Sequence, residues 1–243
     1  MGDCMAKVLF FSGAGLSADS GLGVFRGSNG LWDKYDIKKV CTYDTWLDNY
    51  DLVHEFYNLR RVEYAKATPN PMHKTIAQLQ LKYGSDKVIV ITQNVDDLLE
   101  RAGCTDVLHV HGRINYIYCV SCGKEIKITG VFKGCQCDKC SGKIFKPSIV
   151  FFGEMAPEYT PMYQLITGLS NNDMIAVIGT EGSVVPIGQI IGNKTHGIKA
   201  KRLLCNLEQS YYINDNNFDY VYYTEAKNAV DKIRFHAEQV LNG

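Results

Sequence analysis

The first apolar run constrains this chain most: Val8-Leu9-Phe10-Phe11 empties at once into Ser12-Gly13-Ala14-Gly15. Consecutive apolar residues without polar alternation suit a strand covered on both faces, the usual condition in a parallel sheet. Gly13 and Gly15 permit a tight turn and close backbone approach, and Ser17, Asp19 and Ser20 are residue types that cap or begin helices. A helix opening directly after such a turn presents free backbone N–H groups, which attract a phosphate. Ala18 stands at the third small position of the dinucleotide fingerprint, which tolerates alanine there. Taken alone, the turn is equally consistent with a strand-to-helix connection that binds nothing.

The same pattern recurs. Lys87–Ile91, Val107–Val110, Met174–Ile178 and Leu203–Asn206 read as further strands, and Lys146–Glu154 as a segment returning to the sheet. Between them, helices are predicted over Tyr43–Ala67, with Asp51 beginning its longer part and Pro69-Asn70-Pro71 ending it, over His73–Tyr83, and over Glu225–Leu241. Four to six strands alternating with helices predict an α/β fold, a doubly wound parallel sheet. The insertion of about 50 residues after the first turn, between strands of one sheet, exceeds a simple crossover helix, so it implies part of a separate lobe.

Polar residues gather where ligands of such sheets bind, at the carboxyl ends of the strands. Gln93, Asn94 and Asp96 follow the second strand, and His111-Gly112 follows the third. His109 alternates with His111 on the strand and is assigned to the core or to supporting the site.

Cys119-x-x-Cys122 and Cys137-x-x-Cys140, fourteen residues apart, form two thiolate knuckles suited to a tetrahedral zinc site. Four thiolates leave no open coordination position, so the zinc is expected to be structural. Cys135 is a spare thiol that could replace Cys137. Nine cysteines, five of them clustered at this site, point to a reducing compartment and a cytoplasmic location. Lys and Arg together number 26 and balance 26 Asp and Glu, so no global charge argues for nucleic-acid or membrane partners. The beginning, Met1-Gly2-Asp3-Cys4-Met5-Ala6-Lys7, lacks a hydrophobic signal region, and Ala6 breaks the myristoylation pattern.

In the helix before Pro69, Val53, Tyr57, Arg60 and Tyr64 fall on one stripe of a 3.6-residue period. The arginine on that face either snorkels to water, pairs with Glu63 or Glu55, or serves a ligand.

Several of these segments together resemble the sirtuins, NAD-dependent protein lysine deacylases. Residues 13–27, GAGLSADSGLGVFRG, are similar to the first family signature, with Gly23 in place of its usual proline and Val24 in place of a polar residue. TQNVD at 92–96, the His111-Gly112 pair, KPSIVFFGE at 146–154 and GTEGSVVP at 179–186 resemble later family elements in the right order. Glu181 departs from an expected serine, and Arg113 stands where a smaller residue is usual.

The resemblance implies a Rossmann-like sheet over residues 1–30, 78–115 and 146–243. It also implies a small domain made of a helical insertion at 31–77 and a zinc module at 116–145. It assigns His111 as the catalytic base, with Asn94 assisting it. NAD would be held by Gly13, Ala14, Gly15, Ser17, Phe25, Arg26, Gln93, Asn94, Asp96, Gly179, Thr180, Asn206 and, at the adenine end, Ala226, where relatives usually carry glycine. Phe152, Gly153 and Glu154 would receive the acyl-lysine protein as an added strand. Tyr57 and Arg60 match the Tyr-x-x-Arg element of members that remove succinyl, malonyl or glutaryl groups. The products would be nicotinamide and 2′-O-acyl-ADP-ribose, formed by a monomer with acetyl groups as a further substrate. ADP-ribosyl transfer or NAD hydrolysis on the same scaffold, and noncatalytic sensing of NAD, are the alternatives.

Overall fold

The computed structural model describes residues 6–23 and 35–243. β1 (Val8–Ser12) is buried throughout and lies between two parallel neighbours, β2 (Val88–Thr92) and β7 (Met174–Ile178), with Val8 opposite both Val88 and Met174. Beyond β2 lies β3 (Leu108–His109), and beyond β7 lie β8 (Lys201–Asn206) and β9 (Tyr220–Tyr223). The order β3-β2-β1-β7-β8-β9 is a doubly wound sheet, whose direction of winding reverses between β1 and β7.

The apolar strands read as continuous runs because both faces are covered. Val8 and Phe10 pack on one side with Met72, Ile76 and Leu79 of α4 (Pro71–Tyr83) and Ile233 and Ala237 of α8 (Val230–Leu241). Leu9 and Phe11 pack on the other side with Met162 and Ile166 of α6 (Tyr159–Thr167) and Ile187 and Ile191 of α7 (Ile187–Ile191). Three further helices are short: α1 (Ala14–Ala18), α2 (Ile37–Val40) and α5 (Leu98–Ala102).

A second sheet is antiparallel and small. β4 (Gly112–Cys119) lies between β5 (Glu125–Lys127) and β6 (Phe145–Ile149). The segment expected to return to the large sheet at Lys146 therefore pairs with β4 instead, with Lys146 opposite Tyr118. The extended helix α3 (Tyr50–Lys66) joins Val40, Ile114, Ile149 and Phe151 in a core of its own.

Several element boundaries differ from the sequence expectation. The helix predicted from Tyr43 starts at Tyr50, because residues 41–43 pair with the extended Phe152 segment: Phe152 N–H donates to the Cys41 carbonyl and Tyr43 N–H to the Phe152 carbonyl, both at 2.9 Å. α3 ends before Pro69 as expected, and α4 begins at Pro71 rather than at His73. The fixed φ of Pro71 suits the first helical position, and the Asn70 side chain caps the helix by accepting from the Met72 and His73 N–H groups at 3.0 and 3.3 Å. The third strand shortens to Leu108–His109. The last helix begins at Val230, after a 3₁₀ turn over Ala226–Ala229.

No helix among the described residues is long and apolar enough to cross a membrane.

Candidate active site

The carboxyl ends of the parallel strands meet where the winding reverses, and two glycine turns close against each other there. The turn after β1 donates Gly13 N–H to the Ile178 carbonyl at 3.0 Å and Gly15 N–H to the Gly179 carbonyl at 2.8 Å. A Cβ on Gly15 would stand 2.6 Å from the Gly179 Cα, and Gly179 itself has φ +62°. These glycines are thus required by the contact between the two turns, before any ligand is considered.

Thr180 is fixed from both sides. Asn206, ending β8, accepts from Thr180 N–H at 3.0 Å and donates to the Thr180 carbonyl at 2.9 Å, while Gln93 Nε2 donates to Thr180 Oγ1 at 2.9 Å. Asn94 Nδ2 donates to the Gly13 carbonyl and to Ser17 Oγ, each at 3.0 Å. Ser17 Oγ donates to Asp96 at 2.9 Å, and the Leu98 N–H donates to the other Asp96 oxygen at 3.0 Å. Burial pushes the Asp96 carboxyl up, partly offset by these two donors. Ala226 lies across from α1, where the next residue, Lys227, donates its N–H to Asp19 at 3.1 Å. The sequence-assigned residues Gly13, Ala14, Gly15, Ser17, Gln93, Asn94, Asp96, Gly179, Thr180 and Asn206 are thereby gathered into one crevice. Phe25 and Arg26 lie outside the described residues.

His111 stands on the same rim, between β3 and β4. Gly112 makes its position possible: with φ +83°, it turns the chain so tightly that a Cβ would run into the Ser148 carbonyl. The His111 Nδ1–H donates to the Gln93 carbonyl at 3.0 Å, which leaves the Nε2 lone pair as acceptor. That lone pair accepts from the Tyr159 hydroxyl at 2.9 Å. Burial holds the imidazole below its ordinary pKa, with the Gln93 carbonyl opposing, so the ring is neutral near pH 7.

Two further histidines brace the crevice. His109 meets the Asn94 carbonyl at 2.9 Å and Glu100 at 2.6 Å, pinning the loop after β2 from behind. Buried His73 accepts from the Asn70 N–H at 3.3 Å, so its Nε2–H faces Ser17 Oγ at 3.4 Å. Burial alone lowers His73 to about 4. The unfolded chain therefore takes up this proton first as pH falls. The contribution is complete above about pH 6.5 and is lost progressively toward pH 4, by up to about 3 kcal/mol. The pH dependence of urea unfolding should accordingly be steeper in this interval for the wild type than for His73→Gln, and equal slopes would contradict the assignment.

Of the sequence-assigned substrate residues, Tyr57 lies in the small core. Tyr57 stacks on Phe151 with ring centroids 5.7 Å apart and donates its hydroxyl to Cys41 Sγ at 3.4 Å. Arg60 pairs with Glu63 at 2.9 Å, one of the alternatives its sequence position left open, yet its buried Nε has no hydrogen-bond partner. Phe152 and Gly153 are exposed. The Glu154 carboxylate is engaged internally by Lys146 Nζ at 2.8 Å, Phe151 N–H at 2.8 Å and the Tyr118 hydroxyl at 3.3 Å. Arg113 turns along the small sheet to Glu125 at 2.6 Å and lies over the Tyr116 ring, and exposed Glu181 accepts from Ser183 Oγ at 3.2 Å.

Cys119, Cys122, Cys137 and Cys140 bring their sulfurs within 4.8 Å of one another, with 3.5 Å between Cys119 and Cys140 and 3.6 Å between Cys122 and Cys137. Zn–S bonds of about 2.3 Å in a tetrahedron place sulfurs roughly 3.8 Å apart, so the set fits zinc. Cys137 is buried in the cluster and Cys135 is exposed outside it, which decides between the two.

Tyr159, His73 and Lys146 were not singled out from sequence for roles at the site. The Asn70-Pro71-x-His73 spacing carried a readable capping-box signal, whereas nothing local to Tyr159 announced its approach to His111.

The Sir2 family model matches residues 13–186, the span that holds both glycine turns, His111 and the four cysteines. The chain belongs to the Sir2 family. Among its relatives, it is 42% identical over 251 residues to an NAD-dependent protein deacylase of Helicobacter hepaticus, covering 97% of this chain and 98% of the relative. It is 39% identical over 239 residues to an NAD-dependent protein deacylase of Campylobacter jejuni strain RM1221, covering 98% of each. A solved Sir2 homologue–NAD complex superposes with a TM-score of 0.80 at 28% identity, over 97% of this chain and 90% of that one. A mutant Sir2 homologue–ADP-ribose complex gives 0.82 at 28% identity, over 97% and 93%.

Proposed function

We propose that this Sir2 protein is an NAD-dependent protein lysine deacylase that favours acidic acyl groups. The observation that carries the reading is His111, a neutral imidazole with its tautomer set by the Gln93 carbonyl, placed on the rim that Gln93, Asn94 and Asp96 share. A base near neutral pH requires that state. NAD, when bound, supplies a glycosidic bond whose cleavage drives removal of the acyl group. Gln93, Thr180 and Asn206 would hold its sugars, with Ala14 and Ala226 beside it. Asp96, buried and directed by Ser17, would accept from its carboxamide. Asn94, with both Nδ2 protons engaged, would keep the loop in register for His111.

Phe152 and Gly153 would offer backbone groups to an extended acyl-lysine segment, with Glu154 locking their loop from within. The zinc would hold the small sheet and take no part in the chemistry. In this proposal a large domain of residues 1–30, 78–115 and 146–243 carries the dinucleotide, and the helical and zinc insertions form the small one.

The preference for succinyl, malonyl and glutaryl groups is supported by the Arg60 Nε, a buried donor without an acceptor, on the same helix as Tyr57. A carboxylate there would gain charge-assisted hydrogen bonds. Arg60→Met should lower kcat/KM for a succinyl-lysine peptide by about 10- to 100-fold. The acetyl-lysine peptide should lose much less. Equal losses on both peptides would remove the acidic-acyl assignment while leaving deacylation in place.

A further inference from the structure

A cleft of about 490 Å³ lies between α3 and the loop at 131–134, and none of its lining residues belongs to the NAD crevice. Its size is that of a small-molecule site. Along α3 it is lined at 50–51, 54–55, 58–59 and 62, one stripe at helical spacing, whereas Tyr57 and Arg60 occupy another. Loop and helix keep a fixed spacing: Arg61 Nε donates to the Gly130 carbonyl at 3.1 Å, Asn58 Nδ2 to the Phe132 carbonyl at 2.9 Å, and Phe132 N–H to Asn58 Oδ1 at 2.8 Å. Leu59, Val62 and Val131 line the sides, each at least 40% exposed despite being apolar.

His54 forms part of the wall, its imidazole flanked by the Tyr50 and Phe132 rings at centroid distances of 4.5 and 4.7 Å. Its Nε2–H donates to the Phe145 carbonyl at 2.8 Å, so Nδ1 carries the lone pair. Among the described residues, that buried Nδ1 has no hydrogen-bond partner. Burial holds the ring below its ordinary pKa, with the Phe145 carbonyl opposing, so the lone pair is present near pH 7. A buried acceptor left unpaired costs free energy that a donor restores. Two carboxylates, Asp51 and Glu55, and one ammonium, Lys133, line the cleft as exposed residues, a balance that disfavours an anion.

We infer that this cleft binds a small aromatic molecule, uncharged or cationic, that donates one N–H or O–H to His54 Nδ1. Its ring would lie among Leu59, Val62 and Val131, where flat apolar area is covered on both sides. Phe132 is the side chain that turns to admit the donor, a rotamer change of the kind common on binding. The site stands apart from the crevice and does not depend on which acyl group is removed there.

The probe is indole, which has one N–H donor and no acceptor, titrated into the zinc-loaded chain and followed by NMR of the histidine ring nitrogens. Its comparators are 1-methylindole, tryptamine and indole-3-acetate. Indole should saturate with a Kd of about 1 mM or below and move the His54 Nδ1 resonance upfield, as hydrogen bonding to a bare ring nitrogen does. 1-Methylindole should bind at least about tenfold more weakly, and tryptamine more tightly than indole-3-acetate. His54→Gln keeps a donor for the Phe145 carbonyl but lacks the Nδ1 lone pair, so the preference for indole over 1-methylindole should disappear. Val131→Trp, at an exposed position on the side of the cleft, should block all four compounds and keeps the test open should His54→Gln not fold. Absent saturation, equal affinity for indole and 1-methylindole, an unmoved Nδ1 resonance, or binding that survives Val131→Trp would each overturn the site.

Discussion

His111→Ala should reduce acyl removal by about 10²- to 10⁴-fold, the range a positioned base contributes, without changing the thermal midpoint by more than a few degrees. The side chain bonds to the Gln93 carbonyl and the Tyr159 hydroxyl and belongs to no apolar cluster, so its loss leaves little unfilled core. The pH dependence has a definite sign. Because burial lowers the imidazole pKa and the base must be neutral, kcat/KM should be flat through pH 7 and fall only on acidification through a value below about 6.5. An acid limb centred above 6.5, or an alanine variant with near-normal turnover, would exclude His111 as the base.

Zinc removal should have the other large effect. The core beneath the cysteines contains five buried apolar residues, Ile117, Cys119, Phe132, Cys137 and Phe145, two of which are themselves ligands. A core that small does not hold a three-stranded sheet unaided, so metal binding supplies folding free energy there. Cys122→Ser, or a strong chelator, should lower the thermal midpoint by about 10 °C or more. It should also abolish activity, because β6 leads directly into the Phe151–Glu154 loop. One zinc per chain is expected in the wild type and in Cys135→Ser, but not in Cys122→Ser. Full activity in a metal-free chain would contradict this account.

The large sheet was legible because its strands are covered on both faces and so read as unbroken apolar runs, β1, β2, β7 and β8 alike. β9 was not, since Tyr220–Tyr223 lies at the sheet edge, half-exposed, with tyrosines where a central strand has aliphatic residues. β4 was missed for another reason. A register shift between Gly112 and Ile117 spoils its alternation, placing Ile114, Ile117 and Cys119 inward at unequal spacing. Pairing across the chain took Tyr43 out of the predicted helix and Lys146 into the small sheet, and neither contact has a local signature.

At the site, Gln93, Asn94 and Asp96 could be foreseen from their position after a strand, and Asn206 only through the family resemblance. The Arg60–Glu63 pair is local and was among the sequence alternatives, whereas the Tyr118–Glu154 contact and the approach of Tyr159 to His111 depend on side chains from distant segments meeting. Sequence spacing does not report such meetings.

Nicotinamide release from NAD, measured with and without a succinyl-lysine peptide, tests the central claim most directly. Release should be strictly peptide-dependent and should match, mole for mole, the unmodified lysine formed. Comparable release without peptide, or peptide-stimulated release that leaves every acyl group in place, would contradict deacylation as the function of this crevice.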